Sequence, residues 1–189
     1  MDGVQQLDQI IPQLERLVEG IDSAQLGLPT PCAKFDVAGV LEHMIGGATA
    51  FAPAFRGETP AGDGEATGGS VQDRWRAAMK ELLDAVHSDG AQERTVAAPF
   101  GEVPGSVFAR FVAFDGLVHG WDLATATGQA YAPSEALVGE VTEFARNALQ
   151  AEMRDGDTFA AESTVPADAH PLEQLVAFSG RRIPTAEER

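Results

Sequence analysis

The sequence predicts an all-α fold, a bundle of amphipathic helices around one core, on three observations. Apolar residues recur at three- and four-residue spacing through five long segments and one short one. These segments open on Ser or Asp at capping positions or stop at a glycine. A single stretch, Thr95 to Val103, is β-branched and turn-rich, enough for one small hairpin.

The first helix, near 4–20, carries Val4, Leu7, Ile10, Ile11, Leu14, Leu17 and Val18 on one stripe, with Gly20 just past its end. Pro12 lies inside it; proline lacks an N–H and crowds the preceding turn, so this helix is expected to kink or to start late. The loop GLPTPCAKF leads to Asp36, an N-cap for a second helix over 36–52 with Val37, Val40, Leu41, Met44, Ile45 and Ala48 inward. Residues 57–70, GETPAGDGEATGGS, read as a flexible polar connection. Its glycine-rich part, 62–69, lacks the strand and lysine of a phosphate-binding loop. Ser70 opens a third helix over 70–89, with Val71, Trp75, Met79, Leu82 and Val86 inward. Ser106 opens a fourth over 106–127, and Ser134 a fifth with Leu137, Val141, Phe144 and Leu149 inward. A short last helix, Pro171 to Ser179, stops at Gly180. The expected organisation is one domain over 1–189, with the bundle in about 1–155 and a C-terminal extension over 156–189.

Composition narrows the function classes. At 189 residues, 44% hydrophobic and 7% aromatic, the chain can build a real core. Its 13 basic against 29 acidic residues give a net charge of −16, spread along the chain, which disfavours nucleic acid and anionic membrane as partners. The opening MDGVQQLDQIIPQLERL lacks the basic and apolar regions of a signal peptide. No run approaches the roughly 18 apolar residues of a membrane span. The lone Cys32 excludes an internal disulfide framework and fits a reducing cytoplasm. Lys34 and Lys80 are the only lysines, and alanine and glycine abound, which suggests GC-rich bacterial coding.

The informative segment is the fourth helix, FARFVAFDGLVHGWDL, apolar on nearly every side yet holding Asp115, His119 and Asp122. A buried carboxylate must be paired, hydrogen-bonded or bound to a metal. Asp115 and His119, four apart, project from one helix face, and Asp122 extends that stripe. Such a pair can bind one metal ion if a third ligand comes from elsewhere. The second helix offers His43, which sits off its apolar stripe among Gly39, Gly46, Gly47 and Ala50. These small neighbours leave space for another helix, a metal or a ligand to approach. Three helical glycines cost about 1 kcal/mol each relative to alanine, so something should compensate. Close helix packing would explain the glycines without explaining the imidazole. Two histidines and one carboxylate, with positions left for water or substrate, match the ligand count of a catalytic metal site. A buried pair in which Asp115 and His119 satisfy each other is the alternative.

TPCAKFDVAGVLEHMIGG followed by FVAFDGLVHGWDLATATGQ resembles the actinobacterial branch of the DinB-like superfamily, which includes mycothiol-dependent maleylpyruvate isomerase. The closing VPADAHPLEQLVAFSGRRIP resembles the end of uncharacterised metal-binding members of that branch. The resemblance implies an up-down-down-up four-helix bundle with a divalent metal near one end, ligated by His43, Asp115 and His119. In the isomerase the middle ligand is a glutamate; here the shorter Asp115 takes its place. The isomerase also carries a substantial C-terminal domain, whereas about 35 residues follow the fifth helix here, which argues against maleylpyruvate itself as substrate. The resemblance further implies a cytoplasmic protein that can pair as a homodimer.

The resulting expectation is a metal-dependent enzyme that uses a low-molecular-weight thiol such as mycothiol on an electrophilic small molecule, by isomerisation or S-transfer. Zinc is the first choice of metal, and nickel and iron suit the same ligands. The alternative functions are a non-catalytic metal- or small-ligand-binding module, or a purely structural bundle. Asp122 could orient the His119 imidazole, cap the helix or pair with an arginine. Trp121 is expected to fill core, Cys32 to be a loop thiol, His87 to sit at a helix C-terminus and His170 in a loop. Arg181 and Arg182 could bind an anionic substrate or thiol cofactor, with a solvated basic tail as the plainer expectation.

Overall fold

The computed structural model describes residues 1–58, 68–98, 100–149, 153–154, 160–166 and 169–183. Most of the 57–70 connection, including nearly all of its glycine-rich part, lies outside them. The elements are α1 (Gly3–Glu19), α2 (Val37–Arg56), α3 (Val71–Val86), β1 (Thr95–Ala98), β2 (Gly101–Pro104), α4 (Gly105–Thr127), α5 (Glu135–Ala148) and α6 (Pro171–Phe178), with a single 3-10 turn at Ser23–Gln25.

Four helices begin where a short polar side chain can accept a free backbone N–H of the first turn. Asp2 accepts from Gln5, Asp36 from Gly39, Ser70 from Asp73 and Ser134 from Leu137; such caps contribute about 1 kcal/mol each. α4 departs from this pattern. It starts before Ser106, with Pro104 at the cap and no side-chain bond. Its first N–H groups are taken instead by carbonyls at the base of the hairpin, Gly105 donating to Arg94 at 2.7 Å and Ser106 to Gln92 at 2.9 Å. That approach requires a glycine, because a Cβ on Gly105 would lie 2.0 Å from the Ala91 carbonyl oxygen. α1 neither starts late nor stops at Pro12. Pro12 and Asp8 both lie on the exposed face of the helix. α2 likewise continues past residue 52 to Arg56 and closes on Gly57 in the left-handed region at φ 73°.

Cross-links give the topology. Asp8 meets His87 and Glu15 meets Arg76, so α1 and α3 are antiparallel. Glu42 pairs with Arg74 and Arg56 with Glu81, in the same order along both chains, so α2 and α3 are parallel. Gly116 faces Ile10 and Gly120 faces Leu14, so α1 and α4 are parallel as well. The bundle is therefore up-down-down-up, an all-α DinB-like arrangement. The parallel α2–α3 pair explains the long polar connection between them, which must return the chain to the starting end. The hairpin pairs Thr95 with Pro104 and Ala98 with Gly101 and buries Val96 against the bundle.

The core contains Leu7, Ile10 and Leu14 from α1, Val40, Leu41 and Phe55 from α2, Trp75 from α3, and Phe114 and Leu117 from α4, all essentially inaccessible. Each such side chain stabilises the fold by about 1.5–3 kcal/mol relative to an exposed one. α5 and α6 pack on each other and on α4. Among the described residues no helix is long and apolar enough to cross a membrane.

Candidate metal centre

The antiparallel crossing of α2 and α4 brings His43 to the face that carries Asp115 and His119. His43 Nε2 is 3.5 Å and His119 Nε2 is 3.4 Å from the same oxygen, Asp115 Oδ1. The imidazole rings are 4.9 Å apart between centroids, and the three candidate ligand atoms all lie within 4.8 Å of one another. The His119 side chain is 5% exposed, against 40% for His43 and 42% for Asp115. One ligand candidate is thus fixed in the core and two stand at an opening.

Behind the cluster is a second polar layer. His119 Nδ1 is 3.0 Å from Asp122 Oδ2, which sits one turn further along α4 and is fully buried. This contact makes Nδ1 the donor and leaves Nε2 to face Asp115 and His43. Arg181, 59 residues away, donates to the same carboxylate from Nη2 at 2.9 Å and Nε at 3.4 Å, a two-point pairing. Its side chain is only 14% exposed, so at this position the solvated basic tail is not what forms. The loop before α2 supplies Phe35, whose ring stacks on His43 at 5.3 Å.

The electrostatics follow from this layering. Burial pushes the Asp115 carboxyl up, but His119 and His43 beside it more than compensate and hold it near about 2. The His43 imidazole is raised above its ordinary value by Asp115, against the opposing effect of burial. Burial also opposes the charge on Arg181, and Asp122 outweighs it.

The small residues around His43 do not admit another helix. A Cβ on Gly46 would meet nothing within 4 Å, one on Gly47 only the Phe51 ring edge at 3.9 Å, and one on Gly39 only its own N-terminal neighbourhood, Asp36 and Phe35. Gly46 and Gly47 border open space. Gly47 lines a cavity of about 520 Å³ between the four helices, with the histidines and Asp115 at one end and Met44, Phe51, Met79, Phe108 and Phe111 along its interior. Cys32 is half-buried and lines the same cavity, outside the three-residue cluster. Trp121 packs partly buried against the core. His87 caps the C-terminus of α3 and lies 2.8 Å from Asp8, far from the cluster in the fold. His170 is more than a loop residue: its Nδ1 accepts the Leu172 N–H and caps α6, an imidazole taking the role usually filled by Ser or Asp.

Sequence reasoning reached the three clustered residues and Asp122. It allowed an arginine partner for Asp122 without identifying Arg181, and it missed Phe35 as a wall for His43 and the cavity. Only Arg181 had a signal of its own, a basic pair directly after the last helix.

The family model for the mycothiol maleylpyruvate isomerase N-terminal domain matches residues 7–124. Two uncharacterised proteins of Mycobacterium tuberculosis, one from strain CDC 1551 / Oshkosh and one from strain ATCC 25618 / H37Rv, are each 32% identical over 173 residues, covering 88% of this chain and 91% of their own. No solved structure gives a significant match. The matched span holds all of α2, the whole of the hairpin and every residue of the cluster; the chain belongs to the mycothiol maleylpyruvate isomerase N-terminal domain family.

Proposed function

We propose that His43, Asp115 and His119 bind one divalent metal ion, zinc in the first instance, and that the protein uses it with a low-molecular-weight thiol such as mycothiol to act on an electrophilic small molecule. The observation that carries this reading is the pair of 3.4 and 3.5 Å separations from two imidazole nitrogens to one carboxylate oxygen. Ordinary hydrogen bonds are shorter, about 2.7–3.2 Å. A tetrahedron with corners about 2.1 Å from its centre has edges of about 3.4 Å, which the two carboxylate–imidazole separations match, while the separation between the two imidazole nitrogens lies within 4.8 Å. The donor set, two imidazoles and a carboxylate, also suits nickel and ferrous iron.

A divalent ion held there would keep a bound thiol in its nucleophilic thiolate form at neutral pH. The chain's own residues do the rest. Asp122 and Arg181 hold the His119 ring so that Nε2 points at the site, and Phe35 fixes the His43 ring from the other side. Addition of the thiol to an electrophile gives isomerisation if the thiol leaves again and S-transfer if it stays. This reading takes 1–189 as one domain in which the extension over 156–189 contributes Arg181. It also takes the cytoplasm as the site of action, allows a homodimer, and gives no role to nucleic acid, in keeping with the net charge of −16.

The test is bound metal, measured by mass spectrometry on protein purified without tag or added metal. One ion per chain is expected in wild type and in His87→Ala, and almost none in His119→Ala, which removes one of three protein ligands. Wild type that takes up neither zinc, nickel nor iron would overturn the reading. Turnover of electrophiles with mycothiol, compared with glutathione and bacillithiol, then tests the chemistry. Metal and thiol binding without turnover would identify a non-catalytic module.

A further inference from the structure

The cavity is polar at one end and apolar along the rest. Lys34 and Arg181 line the cavity together with the three clustered residues, whereas most of the remaining lining is aliphatic, methionine, aromatic or glycine. Phe51 of α2 and Phe108 of α4 meet at 4.6 Å, and Phe100 of the hairpin closes against Phe111 at 4.4 Å. His43 and Phe51 are eight residues apart on α2, which at ~1.5 Å per residue separates the polar end from the aromatic end by about 12 Å. The volume of about 520 Å³ is within the small-molecule range. Such a space is a poor fit for a wholly polar molecule, whose hydroxyls and carboxylates would be left without partners.

Charge at the mouth specifies the head group. Asp115 and Asp122 bring two negative charges and Lys34 and Arg181 two positive. A divalent ion on the proposed ligands, whose imidazoles bind as neutral groups, leaves two positive charges over, of which the thiolate of the metal–thiol reading takes one. We infer that this chain takes a substrate with a single anionic head at the His43–Asp115–His119 end and an unbranched or aromatic apolar body reaching toward Phe51 and Phe108. At ~1.2 Å per bond of extended chain, about ten bonds span the distance. The inference deepens the metal–thiol reading and rests on it for the head group alone; the place of the body is set by the cavity.

Calorimetric titration of zinc-loaded and metal-free protein with butanoate, octanoate and dodecanoate tests it. Affinity should rise by about fourfold per methylene and level off near ten carbons. The same slope should appear without metal, at weaker absolute affinity. Identical affinities with and without zinc would sink the metal contribution while leaving the slope standing. A flat chain-length series in zinc-loaded wild type would sink the cavity inference while leaving the metal standing. Two neighbouring variants place the body. Gly47→Leu adds a side chain on the cavity wall, where its Cβ meets only Phe51 at 3.9 Å, and should abolish the slope. Gly46→Leu adds the same bulk one residue away, outside the lining and with nothing within 4 Å of its Cβ, and should leave the slope intact. Equal slopes in both variants and wild type would overturn the assignment of the body to this cavity, with circular dichroism confirming that both variants remain helical.

Discussion

Along its α1 side, α4 is packed to contact. A Cβ on Gly116 would lie 3.1 Å from Ile10 Cγ2, and one on Gly120 would lie 2.6 Å from the Tyr131 ring and 2.8 Å from Leu14 Cδ2. Along its α2 side the same helix leaves a gap, and the glycines of α2, Gly46 and Gly47, face open space. One kind of residue thus serves two ends. On the tight seam it lets two parallel helices approach, which fixes the backbone that carries His119. On the open seam Gly47 leaves the cavity wall without a side chain, while Gly46 faces solvent outside the cavity lining. The bundle holds its histidine rigid on one side by close packing and leaves it reachable on the other.

The largest effect should come from the polar layer that joins the two seams. Asp122→Asn leaves Arg181 buried without its carboxylate and should cost about 3–5 kcal/mol, read by denaturant unfolding. Zinc affinity, measured by competition with a chelator, should fall by about 10- to 100-fold as the His119 ring loses its orienting acceptor. Asp122→Asn combined with Arg181→Met should recover much of the stability and none of the zinc affinity. Recovery of both would mean that Asp122 only neutralises charge.

A test of the tight seam comes next. Gly120→Ala should lose about 1–3 kcal/mol through overpacking against Tyr131 and Leu14, more than the ~1 kcal/mol gained from helix propensity. Unchanged stability would show that the α1–α4 contact is looser than its geometry.

The open seam should answer to pH. Metal must displace the proton that Asp115 helps to hold on His43, whose raised pKa lies above the ordinary 6.5. Apparent zinc affinity should therefore climb as pH rises through that region and level off once the imidazole is neutral. In the metal-free protein the raised His43 gives stability that is present below 6.5 and lost as pH rises through its folded pKa. Asp115, held near about 2 instead of 3.8, gives stability that is present above 3.8 and lost as pH falls toward 2. Zinc affinity independent of pH between 5 and 8, about one unit either side of a typical imidazole pKa, would remove His43 from the ligand set.

The smallest effect is at Gly46. Gly46→Ala should stabilise the protein by about 1 kcal/mol, because the exposed helix gains propensity and the new methyl meets nothing. Set beside Gly120→Ala, the change has the opposite sign, which is the comparison in its simplest form.

The sequence by itself determined the helices, their inward faces and the pairing of Asp115 with His119. These are short-range properties: a three-to-four-residue period, a capping side chain and an i, i+4 spacing are all written within a few residues. The place of one imidazole off the apolar stripe of α2 likewise marks His43 as a candidate ligand from its local pattern alone. Sequence reasoning erred at the start of α4, since the carbonyls of a distant turn replaced the side-chain cap it assumed. Only the tertiary structure decided which glycines pack and which leave space, because a missing Cβ has no meaning until the facing atoms are in place. It likewise decided that Arg181 closes on Asp122, 59 residues away along the chain. A long-range ion pair depends on where α6 docks, and docking is set by the summed packing of α4, α5 and α6 rather than by any local pattern in the tail.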